Sequence, residues 1–264
     1  MPTGSNGRQT PSIQSLDRGL IILEAVAKSS EPVSLGELTA LLQIDRSSVF
    51  RLANTLKRRG FLAYPSGRKD YILGPSVWRL SHEYDWGNML IKVSHENLKL
   101  LASQTNETAH LAIREGRQAL FVAHAGATHI IAVSGQTGEL IPLYCTAHGK
   151  ALIADLDKAD LKALFGQTAL RSYTKRTISS IDGLAKNCAE IRAHGLAGDD
   201  GEYQEGIRCV AAPIRADGGT IIGSIGISAP VSRFPDERYA EWGARVREVA
   251  ERISTKLTNQ TQDS

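Results

Sequence analysis

This 264-residue chain contains a basic block without a single acid, and few folds have a use for one. From Arg46 to Lys69 it carries Arg46, Arg51, Lys57, Arg58, Arg59, Arg68 and Lys69, and no Asp or Glu. The whole chain is nearly balanced, with 31 Lys and Arg against 28 Asp and Glu. A local basic run in a balanced protein points to a local polyanionic partner. The block also has a helical pattern. Val49, Leu52, Ala53 and Leu56 recur at i, i+3, i+4 and i+7, one face of a helix. Asp45 stands where an N-cap is needed, and Gly60 where a left-handed residue would close the helix. With the apolar face inward, Arg46, Ser47, Ser48, Phe50, Arg51 and Asn54 point outward. Arg and Asn suit phosphates and base edges in the major groove, and small hydroxyls let the backbone approach closely.

The flanking sequence completes a motif. Upstream, Ser15 is a candidate cap for a helix carrying Leu16, Leu20, Leu23 and Val26. Ser34-Leu-Gly-Glu37 has the pattern of a capping box, followed by Leu38, Leu41 and Leu42. A tight Gln43-Ile44 connection leads into the basic helix. Downstream, Phe61–Tyr64 and Asp70–Leu73 read as strands around a Pro-Ser-Gly turn. Arg68 and Lys69, beside Gly67, can reach backbone phosphates or the minor groove. A basic helix alone is most often a solvated face. Capping box, short turn, acid-free helix and basic wing in this order predict a winged helix-turn-helix over residues 13–75, with double-stranded DNA as partner.

The length suggests about two domains. Residues 42% hydrophobic and 22% charged exclude a largely disordered chain. After Gly74-Pro75 a helix is expected through Val77, Leu80 and Ser81, then a longer one from Trp86 to Gln104. Strands are expected at 109–113, 119–123, 130–133, 141–144, 209–214 and 220–228. Helices are expected at 149–156, 158–165, 182–194 and from Pro235-Asp236 through Leu257. Strands interspersed with helices, with long helices at both ends, predict an α+β sensor domain. Residues 1–12 and the final TNQTQDS read as polar tails, the first of them disordered.

Other classes fit poorly. Cys145, Cys188 and Cys209 form no C-x-x-C, so neither a zinc knuckle nor a disulfide framework is expected. Sparse, odd cysteines suit a reducing compartment. The first residues lack the apolar core of a signal peptide, and no run reaches the roughly 18 apolar residues of a membrane span. A cytoplasmic protein with no membrane partner is expected. Cys145 or Cys209 with His148 could suggest a nucleophile pair, but no orienting third residue stands at a recognised spacing. His110, His124, His129 and His148 are too scattered for a metal motif. No catalytic residue, metal or cofactor is expected. A third alternative is a DNA-binding protein whose second domain only assembles subunits.

The residues also resemble a known family. IQSLDRGLIILEAV, LGELTALLQIDRSSVFRLANTLKRRGFL and YILG within residues 13–75 look like the DNA-binding half of IclR-type (isocitrate lyase regulator) transcription factors. TAHGKALIA (146–154), IRAHGLAGDDGEYQEGIRCVAAPI (191–214) and IGSIGISAP (222–230) continue the match. The resemblance implies a winged helix-turn-helix at 13–75, and a linker helix with a GAF-like α/β effector-binding domain at 76–259. It implies a homodimer or homotetramer on operator DNA, controlling a nearby catabolic operon in response to a small organic acid. Position by position, the family's effector pocket falls on Ala147, His148, Asp199, Cys209, Gly226 and Ser228. Ala147 to Lys150 open a predicted helix, whose free N–H groups favour a carboxylate. Leu140, Leu143 and Tyr144 are candidates for an apolar wall. Gly226 stands where some members have Ser, and His148 is bulkier than the small residue often found there. The expectation is more room at Gly226 and a larger acid, aromatic acids included.

Overall fold

A computed structural model describes residues 13–82, 85–126, 133, 135–166 and 169–262. The expected tail at 1–12 and most of the strand expected at 130–133 lie outside them. The chain divides into two compact units between Asp85 and Trp86.

The first unit contains α1 (Gln14–Lys28), α2 (Leu35–Leu42), α3 (Arg46–Arg58), β1 (Leu62–Ala63), β2 (Ile72–Leu73) and α4 (Pro75–His82). Ile22, Val26, Leu38, Val49, Ala53, Leu62 and Tyr71 form its core. The capping box at α2 is complete: Ser34 N–H donates to Glu37 Oε2 at 2.7 Å, and Glu37 N–H to Ser34 Oγ at 3.2 Å. Gln43 turns the chain in the left-handed region, at φ 51°. At the end of α3, Gly60 has φ +79°, its N–H donates to Lys57 O, and Phe61 N–H donates to Leu56 O. That pair of bonds is a Schellman closure, which needs a residue at ease with positive φ. The strands β1 and β2 are shorter than expected, and Val33 adds a bridge to Tyr71. Ser76 ties the start of α4 to the end of α3, its Oγ donating to Arg59 O at 2.9 Å.

The first helix differs from expectation. Ile13, not Ser15, is its N-cap, and its buried residues are Gly19, Ile22 and Val26. Leu16 and Leu20 are exposed. Four consecutive apolar residues, Leu20 to Leu23, cover every side of a helix, so periodicity alone leaves its rotation open. Leu41 of α2 is likewise exposed.

The second unit contains α5 (Asp85–Thr105), β3 (Thr108–Glu115), β4 (Gln118–Ala125), β5 (Leu140–Pro142), α6 (Ala147–Leu152), α7 (Lys158–Phe165), α8 (Ile181–His194), β6 (Ala197–Asp200), β7 (Ile207–Arg215), β8 (Ile221–Pro230) and α9 (Asp236–Gln262). The strands make one antiparallel sheet in the order β5-β4-β3-β8-β7-β6. Strand alternation sorts its two faces. Ile225, Ile227 and Ala229 of β8 join Leu98 and Leu101 of α5 and Trp242, Val246 and Ile253 of α9 in the largest core. The other face meets α6, α7 and α8 through Phe121, Leu152, Leu161, Leu184 and Ala211. The α+β class agrees with expectation. The strand β6 was not foreseen, because Asp199-Asp200 also suits a turn. Helix α9 runs on to Gln262, through residues expected to be a polar tail.

Candidate DNA-binding surface and effector pocket

The basic helix α3 carries its residues as its sequence pattern requires. Val49 and Ala53 are buried, whereas Arg46, Ser47, Phe50, Arg51 and Asn54 are exposed and Ser48 is half-buried. Asp45 caps the helix by accepting Ser48 N–H at 2.9 Å, and Ser47 Oγ donates to the same carboxylate oxygen at 2.6 Å. Those bonds hold the Asp45 carboxyl well below its usual range. With its proton so engaged, Ser47 is left as an acceptor, suited to a base amino group. In the hairpin, Arg68 Nε lies 3.2 Å from Asp70 Oδ2, while Lys69 is exposed. Lys57 covers the Tyr64 ring, its Nζ 4.1 Å from the centroid, which joins helix to wing.

In the second unit, one row of strand pairs crosses the sheet. Asp199 of β6 opposes Cys209 of β7, Cys209 opposes Ser228 of β8, and Ser228 opposes Thr108 of β3. Over this row stands α6. Its cap, Thr146, accepts Gly149 N–H at 3.0 Å and donates to Pro142 O at 2.7 Å. Gly149 is needed there: a Cβ would lie 2.4 Å from both Cα and O of Leu143. Ala147, His148, Asp199, Cys209 and Ser228 line one pocket, with His110, Phe121, Ile141, Thr146 and Tyr203 among its other walls. The cavity volume is about 80 Å³, well below the roughly 300–1,000 Å³ of sites for drug-sized ligands, so it has room only for a small molecule.

Gly226 departs from expectation. It is not on the pocket wall. A Cβ there would lie 2.3 Å from Val210 O and 2.7 Å from Ala211 Cβ. The glycine lets β8 and β7 approach closely, and it opens no extra room for a ligand. The expected apolar wall also shifts by one residue: Ile141 lines the pocket, while Leu143 and Tyr144 belong to the core beneath α7 and α8.

The pocket's electrostatics follow from burial. His148 accepts or donates one bond, Nδ1 to Ser224 Oγ at 3.1 Å, and its Nε2 has no partner among the described residues. The ring nitrogens of His110 make no hydrogen bond of good geometry with the described residues, although the ring lies against the Gly135 backbone. Burial, then the neighbouring imidazole, pushes His148 down to about 3 and His110 down to about 4. Both are neutral at pH 7. Phe121 stacks on His110 at 4.4 Å between centroids and meets His148 edge-on at 5.3 Å. Asp199 is 4% exposed and accepts Glu202 N–H at 2.7 Å. Burial, with the Glu202 carboxylate adding to it, pushes Asp199 up to about 7 against the pull of that N–H and of Lys150. Lys150, itself buried, is ion-paired with Glu202. Burial raises Cys145 to about 12 and Cys209 higher still, the reverse of a reactive thiol's environment. Among the described residues, no three His, Cys, Asp or Glu meet in a metal-binding arrangement, and no helix is long and apolar enough to cross a membrane.

Comparison with known proteins agrees with both halves. The IclR helix-turn-helix domain matches residues 15–66, and the bacterial transcriptional regulator IclR C-terminal domain matches residues 86–255. The chain belongs to the IclR family of transcriptional regulators. It is 30% identical to the HTH-type transcriptional repressor AllR of Klebsiella pneumoniae over 258 residues, covering 96% of this chain and 95% of that one. The crystal structure of the Thermotoga maritima IclR matches with a TM-score of 0.70 and 26% identity, over 92% of this chain and 98% of that one. An IclR homologue from Microbacterium hydrocarbonoxydans, complexed with 4-hydroxybenzoate, shares the fold with a TM-score of 0.81 at 17% identity, over 92% and 99%.

In this IclR-family chain, sequence reasoning missed His110, Phe121, Tyr203 and the Lys150–Glu202 pair. The alternation of β3 offered one signal for His110. It lies two residues from Thr108, which pairs with Ser228, and so shares the pocket's face. Nothing local marks Lys150 and Glu202, which are 52 residues apart.

Proposed function

We propose that this DNA-binding regulator recognises its operator through α3 and the β1–β2 hairpin, and that a small organic acid in the second unit's pocket controls that binding. The observation that carries the reading is the convergence of Ala147, His148, Asp199, Cys209 and Ser228, from four separate elements, on one pocket with an aromatic wall. The carboxylate would lie against the backbone of Ala147 and His148 and the Ser228 hydroxyl. Asp199 or a neutral histidine would bond a second polar group. His110 and Phe121, stacked on each other, put aromatic rings in the pocket wall, an apolar surface that suits a planar ring such as that of the 4-hydroxybenzoate held by the Microbacterium homologue.

Arg46, Ser47, Ser48, Phe50, Arg51, Asn54, Arg68 and Lys69 are the proposed DNA contacts. One winged helix touches few bases, so two are held at symmetric half-sites by a homodimer or homotetramer. The enzyme alternative is disfavoured by chemistry. Cys145 stays a thiol, and His148 is too weak a base to ionise it.

A thermal-shift panel of organic acids tests the sensor role, since a ligand that binds only the folded state raises its apparent stability. Fluorescence anisotropy with operator DNA, with and without the acid, reads the response. Ser228→Ala should weaken the acid by about 1–2 kcal/mol in calorimetry, as for a lost hydrogen bond to a charged group. Unchanged affinity would move the ligand elsewhere. Stabilisation by no acid at all would favour a second domain that only assembles subunits.

A further inference from the structure

The pocket's charge inventory is unusual for an anion site. Its described wall carries two acids, Glu139 and Asp199, and no Lys or Arg. The nearest ammonium, Lys150, is committed to Glu202. The two histidines of the wall are buried and neutral. A carboxylate entering this space would meet the buried carboxyl of Asp199 with no cation to separate them. Two carboxylates sharing a buried site do not both stay ionised.

Resting on the organic-acid reading above, we propose that the acid binds together with one proton from solvent, taken up by Asp199. The neutral carboxyl then donates its O–H to the ligand, while its other oxygen keeps the Glu202 N–H. Asp199 is thus the residue that makes an acidic pocket accept an acid.

The surroundings single out Asp199 as the proton's destination. Glu202 and Tyr203 follow it in the chain, Lys150 and His148 face it from α6, and Cys145 precedes that helix. Cys209 faces it from β7. On its far side Asp199 borders a second cleft with Glu190 and His194 of α8, Asp200, Arg208, Asp236 and Tyr239. There Arg208 is occupied by Asp200 and Asp236. The Glu202 carboxylate already has a counter-charge in Lys150, and His148 and His110 are held neutral by burial. Among the described residues Asp199 makes no salt bridge, Lys150 being shared with Glu202, and its carboxyl is pushed up to about 7 by burial.

The test uses the full chain with formate, acetate, benzoate and 4-hydroxybenzoate as probes, by thermal shift and calorimetry from pH 5.5 to 8.5. For any acid that binds, the Kd should rise about tenfold per pH unit above pH 7.5, the limit for one linked proton. Calorimetry at pH 8 in two buffers of different ionisation enthalpy should count close to one proton taken up. Asp199→Asn keeps the oxygen that accepts Glu202 N–H and supplies a permanent donor, so its Kd should be independent of pH. Binding by the parent protein without pH dependence or proton uptake overturns the proposal and leaves the organic-acid reading standing. PH dependence that persists in Asp199→Asn sends the proton elsewhere and also overturns it. No binding by any of the acids at any pH overturns both readings.

Discussion

Replacing Lys150 with Met should be the most damaging single change near the pocket. Lys150 is 1% exposed, and its ammonium is bonded to Glu202 Oε1. The second oxygen of Glu202 has no partner among the described residues. Methionine fills a similar volume, so little packing is lost, but a buried carboxylate is left uncompensated beside Asp199. Breaking a buried pair from one side costs about 3–5 kcal/mol, whereas replacing both partners by apolar groups is often neutral. Lys150→Met should therefore lose about that much in urea unfolding, seen as a lower midpoint at an unchanged slope. Lys150→Met combined with Glu202→Leu should recover most of it. The segment after β6 carries Glu202 and Tyr203, so the single variant should also bind the acid more weakly. A loss below about 1 kcal/mol, or a double variant no more stable than the single, would refute the electrostatic account.

Arg51→Ala should weaken operator binding and lower the salt-dependence slope by about 1, with an unchanged thermal midpoint; an unaltered gel shift would misplace the recognition face. Gly226→Ala should destabilise the second unit by about 1–3 kcal/mol, the range for overpacking, because its Cβ meets the Val210 carbonyl. A parental melting temperature would contradict the β7–β8 approach. His148 and His110 have lowered folded values, so their contribution to stability is present above about 6.5 and is lost as pH falls toward their folded values near 3 and 4. Asp199 is raised, so its contribution is present at low pH and is lost as pH rises through about 7, opposing the histidines. Asp199→Asn should consequently make the protein more acid-labile between pH 7 and 5, read as a steeper fall in melting temperature.

The DNA-binding half was legible because its signals are local. The capping box, the Asp45 cap, the Gly60 closure and the buried stripe of α3 each lie within a few residues of chain, and each needs particular residue types. Where local signals are degenerate, legibility fails even there. The run from Leu20 to Leu23 offers apolar residues to any partner. Only packing against Leu38 and Val49 decides that Ile22 and Val26 turn inward while Leu16 and Leu20 do not.

The pocket depends on pairings that no local pattern contains. Asp199, Cys209 and Ser228 become neighbours through the register of three strands, and His148 arrives on a helix from earlier in the chain. Family resemblance supplied these positions, but a position in a pattern is not access to a cavity. Ser224, Gly226 and Ser228 alternate onto the same face of β8, which argues that all three should see a ligand. They have three different fates. Ser224 bonds His148, Gly226 is spent on the approach of β7, and Ser228 alone of the three reaches the pocket. Room for a ligand is governed instead by how α6 sits over the sheet. That helix is seated on Leu143 by Gly149, where a Cβ would collide with backbone. A larger residue at 149 would lift α6, and with it Ala147 and His148. The dimensions of the pocket are thus set by a glycine outside its wall.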